Sequence, residues 1–105
     1  MTIIFDENVP LPLGQFLQAH TVTTVQQQGW TGVANGALIA LVDGKFDVLI
    51  LADKNLRYQQ NLSSRRIALI EFPTNRWPIL KALVPRLVSA VASATPGSYT
   101  VIEFP

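Results

Sequence analysis

Asp47–Ala52 (DVLILA) is apolar from its second residue to its last and stops at Asp53. A run this short, bounded by charged residues, reads as a β-strand. Its apolar residues are continuous rather than alternating, so both faces of the strand need cover. Strands of that kind belong to mainly parallel sheets with helices packed on each side. Two further runs read the same way: Thr2–Phe5, which ends at Asp6, and Arg66–Phe72, which ends at Pro73.

The remaining segments fit around such a sheet. Leu13, Phe16 and Leu17 have helical spacing behind Pro10 and Pro12, which predicts a short helix over Pro12–Ala19. Thr21–Val25 has the Thr/Val composition of a strand. Gln26–Gly32 is polar with two glycines and reads as a loop, and Asn35 reads as the cap of a helix through Val42. Asn75 reads as a second cap, followed by one apolar stripe of Leu80, Leu83, Val84, Leu87, Val88 and Val91, with Pro85 predicted to kink the helix. Tyr99–Phe104 alternates after the Pro96-Gly97 break and reads as an edge strand. The expectation is a single α/β domain over residues 1–105, with three layers, about five mostly parallel strands and helices on both faces.

Composition narrows the chemistry. With 49% apolar and only 14% charged residues, the chain is not of the disordered class. There is no Cys and one His, His20, which excludes disulfide scaffolds, thiol catalysis and thiolate or multi-histidine metal sites. The longest apolar run, Ala37–Val42, is too short to span a bilayer, and no basic-then-apolar signal opens the chain. A cytoplasmic protein without membrane contact is the expectation. No phosphate-cradling Gly-rich loop is present. The net charge of +1 conceals a division: residues 1–53 carry five acids against the single Lys45, a balance of −4, and residues 54–105 carry seven basic residues against Glu71 and Glu103, a balance of +5. Such a division fits an anionic partner, a metal, or two halves that pair with each other.

Two strands end in a carboxylate followed by polar residues: Phe5-Asp6-Glu7-Asn8 and Ala52-Asp53-Lys54-Asn55. In parallel sheets ligands sit beyond the carboxyl ends of the strands, and right-handed crossovers bring those ends to one rim. Neighbouring strands would set Asp6 and Asp53 close together, an arrangement that needs a cation or a shared proton. Oxygen-only donors suit Mg²⁺ or Mn²⁺. The alternative is that both aspartates cap turns. Asp43 and Asp47 belong to the opposite rim. Glu71 sits near the end of its strand and reads more simply as a solvated residue than as a member of the rim. Lys54, Arg57, Arg65 and Arg66, with Tyr58, could follow a nucleic-acid backbone or serve as a solvated loop. Trp30 reads as a packing anchor under a loop, and His20 as a helix-end residue.

Ile4-Phe5-Asp6-Glu7-Asn8, Gly29-Trp30-Thr31-Gly32 leading to Asn35-Gly36, and Leu51-Ala52-Asp53-Lys54-Asn55-Leu56 together resemble the small PIN-like proteins. These are single-domain relatives of PIN-domain ribonucleases, common among toxins of bacterial toxin–antitoxin pairs. The resemblance implies a PIN-like fold and Mg²⁺- or Mn²⁺-dependent cleavage of RNA. Asp6 and Asp53 match the family's metal-holding acids. Glu7, Asn8, Asn35 and Asn55 are auxiliary polar groups, and Lys54 and Arg57 are phosphate contacts. A small antitoxin protein and a second copy of the chain are the implied partners. The helix after the second strand usually carries a further acid, and here reads Asn35-Gly36-Ala37. That departure leaves a second reading open, a PIN-like protein-binding module without catalysis. A third is a receiver-like phosphoacceptor, which also places acids after its first and third strands. Asp6-Glu7 meets its need for an acid pair, but no Lys closely follows Phe72 or Phe104.

Overall fold

The computed structural model describes residues 1–52 and 65–104, apart from the side chain of Asn35. In chain order the elements are β1 (Thr2–Phe5), a 3₁₀ helix (Leu11–Phe16), β2 (Thr21–Thr24), α1 (Asn35–Val42), β3 (Val48–Ala52), β4 (Ala68–Phe72), α2 (Trp77–Ala82), α3 (Val84–Ser93) and β5 (Tyr99–Val101). The strands form one sheet in the order β2-β1-β3-β4-β5, and every pairing is parallel. The fold is a three-layer α/β sandwich.

Alternation along each strand divides the core in two. Ile3, Phe5, Val48, Ile50, Ala52, Ala68, Ile70 and Phe72 face the layer made by the 3₁₀ helix, α2 and α3. Ile4, Leu49, Leu51 and Leu69 face Leu38, Ile39 and Val42 of α1. Both faces of β3 and β4 are buried along their full length, which is why their sequences run apolar without a break. Trp30 anchors its loop, packing edge-on against Phe46 at 6.3 Å with Lys45 Nζ 5.7 Å from its ring centroid.

The helix boundaries differ from the sequence expectation where a cap or a proline intervenes. The segment expected as a helix over Pro12–Ala19 is the 3₁₀ helix Leu11–Phe16. Ala34 and Arg76, not Asn35 and Asn75, hold the positions before the first helical residue. Pro85 does more than kink its helix. It sits in the first turn of α3, where its missing N–H has no partner to lose, and Leu83 at φ −94°, ψ 0° separates α2 from α3. The expected single stripe is thereby divided: Leu80 faces inward from α2, Val84, Leu87 and Val91 from α3, and Val88 stays 47% exposed.

Asp43 and Asp47 lie at the rim where the strands begin. Asp47 Oδ2 accepts from the Thr2 N–H at 2.8 Å and the Thr2 hydroxyl at 3.1 Å. Asp43 Oδ1 accepts from the N–H groups of Arg66 and Ile67 at 2.8 and 3.0 Å, and Arg65 Nη1 stands 3.7 Å from Oδ2. The Arg65–Asp43 pair joins the basic half of the chain to the acidic half. The Arg66 and Ile67 amides, with the Arg65 charge, hold the Asp43 carboxyl below its ordinary 3.8. A depressed carboxyl adds stability above its unfolded pKa and loses it as pH falls through the folded value. Asp43→Asn should therefore lower Tm at pH 7, with the difference from wild type closing below pH 3.8. Thermal melts from pH 7 downward check this, and a pH-independent difference would contradict it.

Gly44, in the turn before β3, has φ +80° and open space where a Cβ would stand. Strain alone then sets the effect of Gly44→Ala, about 1 kcal/mol of lost stability by denaturant titration.

Candidate functional site at the carboxyl rim

The strand order reverses between β1 and β3: the chain leaves β1 toward β2 on one side and returns to β3 on the other. In open parallel sheets that reversal opens a crevice beyond the carboxyl ends of the two strands. Asp6 is the first residue past β1, and its N–H donates to Ile50 O of β3 at 2.9 Å, extending the ladder one residue past the strand. Its side chain is 4% exposed, and Oδ1 accepts from the Glu7 N–H at 2.9 Å.

Glu7 is committed to the neighbouring loop. Its Oε2 accepts from the Gly32 N–H at 3.2 Å, and its carbonyl accepts from Gln26 Nε2 at 3.4 Å. These contacts tie the Gln26–Gly32 loop, and so the start of α1, to the rim. Asn8 is exposed beside them. Asp53, Lys54, Asn55 and Arg57 lie outside the described residues, as does the side chain of Asn35.

Glu71 corrects the sequence reading of a solvated strand residue: it is 4% exposed. Register explains why. Leu51 pairs with Glu71, and the Asp6–Ile50 hydrogen bond sets Asp6 level with Leu51, so the two acids share one row. Alternation turns both toward the α1 face. Two strand spacings, about 10 Å between Cα atoms, separate them, with Leu51 between. The Tyr99 hydroxyl, reaching from β5, donates to Glu71 Oε1. Sequence gave no sign of that partner, because it is brought by the register of β4 with β5 and not by any local pattern.

The oxygen donors described at this rim are the Asp6 and Glu7 carboxylates, chemistry that suits a hard divalent cation. Among the described residues no three of His, Cys, Asp and Glu come together. One or two carboxylates with waters and substrate phosphates are enough for Mg²⁺. A cavity of about 410 Å³ beneath Lys45, Asp47 and Arg66 lies at the opposite rim, away from these acids.

Among the described residues no helix is long and apolar enough to cross a membrane. The order β2-β1-β3-β4-β5 is also the strand order of receiver domains, but Pro73-Thr74 and Ile102-Glu103 follow β4 and β5 where a receiver would place a lysine. No family model, curated protein or solved structure matches the chain.

Proposed function

We propose that the chain is a PIN-like, metal-dependent ribonuclease whose Asp6 and Asp53 hold Mg²⁺ or Mn²⁺ at the carboxyl rim. The observation that carries this reading is the adjacency of β1 and β3, with a buried Asp6 at the end of one and Asp53 next in sequence after the other. A bound cation supplies a water of lowered pKa and offsets charge on the attacked phosphate. Asp6 contributes a fixed carboxylate there, oriented by the Glu7 N–H, and Glu7 holds the loop that borders the crevice. Lys54 and Arg57 supply positive charge along the RNA backbone. A small antitoxin protein is the partner this reading implies.

The sequence Asn35-Gly36-Ala37 at the start of α1 favours a second reading, a protein-binding module with an incomplete acid set. One experiment separates the two. Purified protein with Mn²⁺ should cut single-stranded RNA, and EDTA should stop it. RNA left intact with Mn²⁺ present would overturn the nuclease reading and leave the binding module.

A further inference from the structure

The sheet has two edges, β2 and β5, and the chain treats them differently. In a parallel ladder alternate residues turn their N–H and C=O to the neighbouring strand, and the residues between turn theirs outward. At β2 the Thr21 and Val25 N–H groups donate to Met1 O and Phe5 O, which puts Val22 and Thr24 on the outward side. Gln27 Oε1 takes the Thr24 N–H there at 3.1 Å, so the chain covers that end of the edge itself. At β5 the Leu69 N–H donates to Ser98 O at 2.9 Å and the Ile102 N–H to Glu71 O at 2.8 Å, which turns Val101 outward. Among the described residues nothing accepts from the Val101 N–H. Ser98–Ile102 also contains neither a charge nor a proline, two devices that keep an edge from pairing.

Beside this edge runs a groove of about 580 Å³ between β5 and α3, lined by Arg86, Ser89, Ala90 and Ser93 of the helix and by Val101 and Glu103. We propose that a second copy of this chain occupies the edge, its β5 antiparallel to the first about a two-fold axis at Val101. The Val101 N–H of each copy donates to Val101 O of the other, and the two sheets become one. The Val101 side chains, half-buried in one copy, meet across the axis. Because β4 and β5 are parallel, α3 between them runs the opposite way, and the axis sets the two α3 helices antiparallel. Ser89 and Ala90, midway along the groove, are short enough to let the helices approach. Arg86, at the start of one α3, lies beside the last turn of the other, where α3 has no basic residue of its own to complement its carbonyls. Arg86 and Glu103 both stand where α3 begins and β5 ends, so antiparallel copies keep like charges apart. This exchange of ends makes the groove its own complement and selects a second copy over an unrelated strand. The proposal stands whether or not the chain cuts RNA.

Sedimentation velocity of the full chain over a range of concentrations reads the mass, and hydrogen exchange reads the Val101 amide. The wild type is expected to reach twice the chain mass, with exchange at Val101 slowed in the dimer. Val101→Pro removes an outward N–H and no bond to β4, so the fold should survive while the dissociation constant rises at least about ten-fold. Ser89→Arg changes an exposed residue, brings two added cations together at the axis, and should also give monomer. Val22→Pro makes the same backbone change at the other edge and should leave the dimer intact. A chain that stays monomeric at every concentration would overturn the proposal. So would a dimer that leaves Val101 exchange unslowed, one that survives both Val101→Pro and Ser89→Arg, or one lost with Val22→Pro.

Discussion

Asp6→Asn is expected to reduce Mn²⁺-dependent RNA cleavage by at least about 100-fold, roughly 2.7 kcal/mol of transition-state stabilisation. Asn keeps an Oδ1 that can accept from the Glu7 N–H, and the Asp6 backbone keeps its bond to Ile50 O. The substitution therefore removes the negative charge while preserving the turn. A neutral amide is also less costly to bury than a carboxylate at a position only 4% exposed. Tm should stay near the wild-type value while cleavage falls. Parallel cleavage assays and thermal melts check both. An Asp6→Asn protein that cuts RNA at the wild-type rate would remove this residue from the chemistry.

The largest effect on stability is expected from Phe72→Ala. Phe72 is fully buried at the end of β4, paired with Ala52 at the end of β3, and belongs to the larger core cluster. Truncating a buried Phe costs about 3–5 kcal/mol, a large share of the roughly 5–15 kcal/mol that holds a domain together. Tm should fall by more than about 10 °C. Val88→Ala is the internal comparison: Val88 is 47% exposed on α3, and its loss should stay within about 0.5 kcal/mol. Equal losses in the two variants, measured by chemical denaturation, would contradict the placement of the core.

Most of the sheet was legible in the sequence because its central strands are buried on both faces. Val48–Ala52 and Ala68–Phe72 contain no polar residue except Glu71, and continuous apolar runs are what a doubly covered parallel strand requires. β5 lies at the sheet edge as expected, but the strand expected over Tyr99–Phe104 is Tyr99–Val101. Helix starts were less legible. Asn35 and Asn75 have the chemistry of caps, yet Ala34 and Arg76 precede the first helical residues. Pro85 announced a break without showing that it would separate two helices.

The site was legible only as far as strand ends reveal it. Asp6 follows its strand directly, so its place at the rim could be read from the chain alone. Glu71 could not be placed that way. Its burial follows from register, and its partner Tyr99 is brought by β5 across 28 residues of sequence.

The most direct test of the proposed metal site is the anomalous difference density of a crystal soaked in Mn²⁺. A peak is expected at the carboxyl rim between β1 and β3, within coordination distance of an Asp6 carboxylate oxygen and absent from Asp6→Asn crystals. A rim without a peak in the soaked wild-type crystal, or a peak there that survives Asp6→Asn, would contradict it.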